Sequence, residues 1–176
     1  MASNQIAQAF DRMERVLRRR PSAGLHDDSP AMARWLGGAR VLTTDPRGLG
    51  LATDLPRELG GGEDGPSPGW LLRAGLAACL ATCIAAVAAR EGIELTALEV
   101  EARSRSDVRG LFELPDAGGA PVDPGPSQLE MVVRVAAAGV AMEALAALVE
   151  RANAISPVAA ALQLPRPLAV RVEAAG

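Results

Sequence analysis

Residues 70–91 read WLLRAGLAACLATCIAAVAARE, a stretch that is apolar on every side from Ala74 to Ala89. A helix without a polar face has to be buried all round. The run is shorter than the roughly 18–20 apolar residues needed to cross a bilayer, and Gly75 and Thr82 weaken it further. We therefore predict that this stretch is the core helix of a soluble domain.

Both ends of the helix are marked in the sequence. Ser67 stands at the N-cap, Pro68 is tolerated at the first helical position, and Gly92 can close the far end in the left-handed conformation. Both cysteines of the protein, Cys79 and Cys83, lie four residues apart and therefore on one face of this helix. Any thiol chemistry must take place there.

Length and composition narrow the function classes. At 176 residues the chain fits one domain, and its net charge of −3 argues against a nucleic-acid partner. All 18 basic residues are arginine, which excludes Schiff-base chemistry on a lysine. The N-terminal residues lack the pattern of a secretory signal, so we expect a cytoplasmic protein with free thiols.

We expect neither a cofactor nor a metal. The glycines at 60–62 resemble a phosphate-binding loop only loosely, because no Gly-Lys-Ser/Thr follows them. The two cysteines and the single histidine, His26, supply at most three zinc ligands, and His26 lies in a linker.

The N-terminal residues 1–33 are interpreted as a helical arm and linker ahead of a domain at 34–176. Apolar residues recur at helical spacing among arginines until Pro21 ends the pattern; they are Ile6, Phe10, Met13 and Leu17. A basic amphipathic helix can also lie on a membrane surface. Because the protein as a whole is acidic, we favour packing on this subunit or on a partner and expect no membrane contact.

The remaining segments alternate between strand and helix patterns. Residues 35–44 and 49–54 predict two paired strands joined by a turn at 45–48. Alternating residues at 98–109 and 129–135 predict an antiparallel hairpin with opposite charges across it. A helix at 142–153, a further helical turn from Ser156-Pro157, and an edge strand through Leu168, Val170 and Val172 follow. This order predicts an α+β fold in which an antiparallel sheet wraps around a long buried central helix.

A reactive cysteine must be a thiolate, and a nearby cation or helix N-terminus favours that form. Cys79 lies roughly 16 Å along the helix from Pro68, too far for the helix dipole to act. A reactive Cys79 therefore needs an arginine from another segment. The candidates are Arg34, Arg40, Arg47 and Arg109. On composition alone, inert packing of Cys79 is the favoured interpretation.

Residues 54–79, DLPRELGGGEDGPSPGWLLRAGLAAC, resemble the first motif of the OsmC/Ohr family, in which a glycine-rich loop and a proline precede a buried helix that carries Ala-Ala-Cys. Residues 154–158, AISPV, resemble the second motif, normally Cys-Pro. The resemblance extends over 34–174 and implies an intertwined α+β homodimer with two active sites at the interface. In active members a peroxidatic cysteine attacks hydroperoxide and a second cysteine resolves the sulfenic acid as a disulfide.

The resemblance assigns roles to four positions. Cys79 matches the peroxidatic cysteine. The resolving cysteine falls on Ser156, which cannot form a disulfide, and the active-site glutamate falls on Gly69, which has no side chain. Arg40, in the sequence Gly-Gly-Ala-Arg, resembles the arginine that activates the peroxidatic cysteine.

Three hypotheses follow. The first is a thiol-dependent peroxidase that reduces organic hydroperoxides through Cys79 and is resolved by Cys83 or by an external thiol. A disulfide between residues four apart needs parallel side chains to converge, so we expect the external thiol. The second is a dimer without this catalysis that binds a small hydrophobic ligand at the subunit interface, which the losses at Gly69 and Ser156 favour. The third, a purely structural dimer, has no positive feature in its support.

Overall fold

The computed structural model describes residues 2–164 and 166–174, and it has the α+β architecture that the sequence predicts. Two antiparallel sheets accompany the helices: three strands in the order β1-β2-β3, and the β4-β5 pair. The elements are α1 (Ala2–Arg19), β1 (Met32–Gly37), β2 (Arg40–Thr44), β3 (Gly50–Thr53), α2 (Pro68–Arg90), β4 (Leu95–Ser106), β5 (Pro126–Ala137), α3 (Met142–Ala154) and α4 (Pro157–Gln163). Short 3₁₀ turns lie at Pro21–Gly24, Arg57–Leu59 and Val108–Phe112.

The central helix α2 begins and ends where the sequence predicts. The hydroxyl of Ser67 accepts a hydrogen bond from the backbone N–H of Trp70 at 3.2 Å, which caps the first turn. Gly92 has a φ of +70°, the left-handed conformation that closes a helix. Between these caps α2 runs for 23 residues, and by length and composition alone it is long and apolar enough to cross a bilayer. One side of the helix packs in the core of the chain.

The core of the chain lies along one side of α2. Leu80 and Ile84 are almost fully buried there and pack with Leu148 and Ala152 of α3. Apolar residues of the β4-β5 sheet close the cluster; among them are Leu98, Val100, Met131 and Val133. Packing against these neighbours fixes the helix on the inner face of the hairpin.

The opposite side of α2 is open in the single chain. Leu72, Gly75, Ala78 and Thr82 follow one another at helical spacing, and all four are exposed. The expectation that this helix is buried all round is therefore met on one side only. Burying the second side requires surface from outside the single chain.

The first sheet has three strands, whereas the sequence analysis predicted two. The run at 35–44 is itself a hairpin, because the chain reverses at Gly37 and Gly38, with φ of +103° and +56°. Only glycine adopts such conformations readily, so this Gly-Gly pair was the overlooked turn signal. The second turn lies where it was predicted. There the Asp45 carboxylate accepts hydrogen bonds from the backbone N–H groups of Arg47 and Leu49.

The β4-β5 hairpin confirms the prediction of opposite charges on facing strands. Arg103 faces Glu130 across the pair, and Arg134 lies 3.1 Å from Glu99. β4 begins and ends earlier than predicted. It stops because Asp107 caps a 3₁₀ turn by accepting a hydrogen bond from the backbone N–H of Arg109.

The C-terminal segment differs from the prediction. Residues 166–174 carry the alternating pattern of a strand but form none in the single chain. Leu168, Val170 and Val172 are between 83% and 91% exposed. A strand exists only when another strand accepts and donates its backbone hydrogen bonds, and no such neighbour is present in the described part of one chain.

The N-terminal helix α1 packs against α2 and is longer than the predicted arm helix. Glu14 binds Arg18 on its own helix and Arg90 at the end of α2, the latter at 2.7 Å. The outer face keeps apolar side chains in solvent, with Phe10 43% and Met13 58% exposed. The arm is thus docked on α2 of the same chain.

Candidate active site

Cys79 and Ser156, each singled out by its own motif, are in contact. The hydroxyl oxygen of Ser156 lies 3.2 Å from the sulfur of Cys79, although 77 positions separate the two residues in sequence. Cys79 projects from the middle of α2, and Ser156 occupies the turn between α3 and α4 just ahead of Pro157. Ser156 is completely buried. The fold therefore brings the two predicted motifs together at one point.

Cys83 lies beside this pair, one helical turn further along α2. Its sulfur is 4.0 Å from the carbonyl oxygen of Ile155, the residue before Ser156. Burial and the neighbouring Cys79 sulfur raise the pKa of the Cys83 thiol above its ordinary value. Cys83 is therefore protonated at neutral pH and is a poor nucleophile.

Arg40 points toward the loop ahead of α2. Its guanidinium lies 3.8 Å from the Asp64 carboxylate. Among the hydrogen bonds and ion pairs of residues 2–164 and 166–174, none joins Arg40 to Cys79. Its assignment as the activating arginine stays a prediction.

Two other candidate arginines are held by neighbouring carboxylates. Arg47 lies 2.8 Å from Asp45. Hydrogen bonds from the side chain and backbone of Arg109 lower the pKa of Asp107 to about 2, so this carboxylate stays charged beside its arginine throughout the physiological range. Both arginines stabilise turns of their own segments.

Gly69, where the resemblance places the active-site glutamate, faces an arginine. A Cβ atom at Gly69 would lie 3.8 Å from the guanidinium of Arg73, in ordinary contact. Arg73 donates a hydrogen bond to the hydroxyl of Ser104 on β4 at 3.0 Å. No role for Arg73 was predicted from the sequence. Its position as the only charge near the start of an apolar helix was the available signal.

Asp54 is a second residue whose role the sequence analysis missed. Its carboxylate is only 2% exposed and accepts backbone hydrogen bonds from Leu55, Gly62 and Asp64 at 2.8, 2.9 and 3.3 Å. Burial raises the pKa of this carboxyl, but the three donors and the Arg40 guanidinium outweigh burial and hold its pKa below the usual range. Asp54 thus stabilises the loop that leads into α2.

The same loop depends on two of its glycines. A Cβ atom at Gly61 would overlap the backbone of Leu55, and one at Gly65 would overlap the carbonyl of Ala52. The close backbone approach at these two places requires glycine there. The loop fixes the direction in which α2 starts, and with it the position of Cys79.

No three His, Cys, Asp or Glu side chains of the described residues approach closely enough to hold a metal ion together. The chemistry that the arrangement itself offers is that of a sulfur atom with a hydroxyl donor beside it.

The chain belongs to the OsmC-like protein family, whose model matches residues 60–171. This match takes in α2 with Cys79 and the turn with Ser156. No curated protein sequence matches the chain.

Solved structures similar to the chain come from the same family. An organic hydroperoxide resistance protein, OsmC, of Legionella pneumophila is 25% identical over 79% of this chain and 91% of its own, with a TM-score of 0.58. An OsmC-like protein of Mycoplasma pneumoniae is 14% identical, with coverages of 79% and 89% and a TM-score of 0.65. The organic hydroperoxide resistance protein OhrB of Bacillus subtilis is 22% identical, with coverages of 78% and 91% and a TM-score of 0.52. The two below 25% identity show the shared fold.

Proposed function

We propose that this protein is a thiol-dependent peroxidase that reduces organic hydroperoxides through Cys79 and is returned to its resting state by an external thiol. The observation that carries the proposal is the contact between Cys79 and Ser156, which places the cysteine of the first motif against the second motif. Family membership supports a redox role in oxidative stress. The names of the Legionella and Bacillus relatives, organic hydroperoxide resistance proteins, support the substrate class.

In the first step the Cys79 thiolate attacks the outer oxygen of the hydroperoxide. The O–O bond breaks, an S–O bond forms, and the alkoxide leaves as an alcohol after taking a proton. Cys79 is then a sulfenic acid, oxidised by two electrons, and the hydroperoxide has been reduced by two.

The external thiol completes the cycle. One thiol displaces water from the sulfenic acid and forms a mixed disulfide with Cys79. A second thiol attacks that disulfide, releases the Cys79 thiolate and leaves as the oxidised disulfide. Ser156 has no sulfur and Cys83 is held protonated, so neither replaces the external thiol in this scheme.

We also propose that the working form is a homodimer. Leu72 on α2, Trp35 on β1 and Leu51 on β3 are 37%, 70% and 42% exposed in the single chain. The alternating apolar side chains of residues 166–174 are exposed as well. A second copy that covers these surfaces would bury the open side of α2 and supply a neighbour for the C-terminal segment.

Peroxide consumption tests the proposal. With cumene hydroperoxide as substrate and dithiothreitol as reductant, the natural protein should consume peroxide, and Cys79→Ser should abolish consumption. Cys83→Ser is the matched control, since it changes the same atom one turn away, and it should retain turnover. With no reductant, mass spectrometry should show one added oxygen on Cys79.

Three results would change the proposal. An unchanged mass at Cys79 and no peroxide consumption would exclude the peroxidase and favour the dimer that binds a small hydrophobic ligand. Loss of two hydrogens across Cys79 and Cys83 would make Cys83 the resolving residue in place of the external thiol. Peroxide consumption by the Cys79→Ser variant would mean that a residue other than Cys79 carries out the reaction.

A further inference from the structure

Ser156 occupies an N-cap position but does not cap its helix. It is the residue ahead of α4, yet its hydroxyl makes no hydrogen bond to the backbone of that helix. Ser67, the corresponding residue of α2, does cap its helix, by accepting a hydrogen bond from Trp70. The Ser156 hydroxyl is directed at the Cys79 sulfur instead. Serine at this position usually caps its own helix, whereas Ser156 contacts the candidate reactive cysteine, Cys79.

The backbone around Ser156 holds this hydroxyl in place. The N–H of Ser156 donates to the carbonyl of Asn153 at 3.1 Å, and its carbonyl accepts from Ala160 at 3.0 Å. The side chain is completely buried, so water does not compete for the hydroxyl hydrogen. A donor fixed in this way needs no rearrangement when the charge on its partner changes.

The direction of the hydrogen bond depends on the state of Cys79. A neutral thiol can donate or accept, whereas a thiolate has no hydrogen and can only accept. Ionisation of Cys79 therefore commits the Ser156 hydroxyl to donation, and hydrogen bonds to charged groups are stronger than neutral ones. A thiolate at Cys79 would meet a hydroxyl donor that is already in place.

We infer that Ser156 is a positioning residue that donates its hydroxyl hydrogen to the Cys79 thiolate and so maintains the nucleophile, while leaving the oxidised sulfur free for an external thiol. This inference rests on the proposed peroxidase function, because peroxide reduction is the reaction in which the Cys79 thiolate acts. It gives Ser156 a positive role where the family resemblance indicates only a lost resolving cysteine. A hydroxyl there stabilises the charge and cannot close a disulfide.

The test measures alkylation of Cys79 by iodoacetamide against pH, without peroxide. All proteins carry Cys83→Ser, which makes Cys79 the only thiol. Ser156→Ala should slow alkylation near neutral pH about tenfold and move the profile toward higher pH. Ser156→Thr restores a hydroxyl and should restore the profile. Ser67→Ala removes the other N-cap hydroxyl, and should lower the melting temperature without moving the profile.

A second readout covers the case in which the threonine methyl prevents folding. The ultraviolet absorbance of the thiolate, recorded against pH on Ser156→Ala and its parent, should shift by the same amount as the alkylation profile. Equal profiles for parent and Ser156→Ala, with both proteins folded by circular dichroism, would overturn the inference. Absence of peroxide turnover in the natural protein would overturn the proposed function instead, so the two failures are distinguishable.

Discussion

At the scale of single residues, the contact between Cys79 and Ser156 joins two residues that lie 77 positions apart in sequence. Their places in two motifs predicted that they belong to one site, and the 3.2 Å contact agrees with this. The donor role of Ser156 could not be predicted, because serine at an N-cap ordinarily bonds its own helix. Which way a buried hydroxyl points is decided by tertiary packing that no local pattern records.

The contact predicts that a disulfide can be restored. In a protein that carries Ser156→Cys and Cys83→Ser, treatment with cumene hydroperoxide should join the new thiol to Cys79, because the atom it replaces already lies beside that sulfur. Mass spectrometry should then show the loss of two hydrogens, recovered on reduction. Cys83→Ser alone is the control and should gain oxygen. A folded double variant that forms no disulfide would contradict the described contact between α2 and the turn ahead of α4.

At the scale of elements, the loop between β3 and α2 depends on Asp54. The folded state holds the pKa of this carboxyl below its usual range, so the charged carboxylate stabilises the fold. That contribution is complete above the ordinary value of about 3.9 and is lost as pH falls through the lower, folded-state value. The loop should therefore be a site of acid sensitivity.

Asp54→Asn tests this directly. We expect it to lower the melting temperature at pH 7 by roughly 3–10 °C, since one carboxylate oxygen that accepts backbone hydrogen bonds is lost. The difference from the natural protein should shrink as pH is lowered below the ordinary pKa. Asp64→Asn is the control, because that carboxylate is 61% exposed and only approaches Arg40, so its effect should be small. An Asp54 variant that melts like the natural protein at pH 7 would contradict the assigned role.

Element boundaries were predictable where the residues that fix them lie next to one another. Ser67, Pro68 and Gly92 marked both ends of α2. The charge alternation marked the hairpin but not its ends, since β4 begins and ends three residues earlier than predicted. The turn at Gly37 and Gly38 was missed because it lies inside one continuous apolar run. The C-terminal strand was wrong for the single chain, because its pattern describes side chains and not the neighbour that its backbone needs.

At the scale of the whole molecule, Gly75 offers the sharpest test of a dimer. A Cβ atom at Gly75 would have no neighbour within 4 Å in the single chain, so the isolated subunit has room for a larger side chain. The same position lies in the open side of α2. A second copy packed there would have no space for such a side chain.

We expect light scattering to give the natural protein twice the 18.1 kDa mass of one chain at micromolar concentration. Gly75→Arg should reduce the mass to that of one chain, since a charge would have to be buried in the interface. Gln8→Arg, which adds the same side chain to an exposed position on α1, should leave the dimer intact. A natural protein that is monomeric, or a Gly75 variant that remains a dimer, would exclude this interface.

A hairpin has no interior strand, and in the described part of a single chain β4 and β5 each keep an outer row of backbone groups with no strand beside it. Unpaired edges of this kind can form backbone hydrogen bonds with the same segment of other copies. Repeated pairing of this type is a common start of aggregation. The charges along this hairpin restrict that process; they are Glu99, Glu101, Arg103, Glu130 and Arg134. A misaligned copy would set like charges side by side, which is unfavourable. These exposed ion pairs contribute little to the stability of the folded chain. They nevertheless discourage misassembly of a newly made chain.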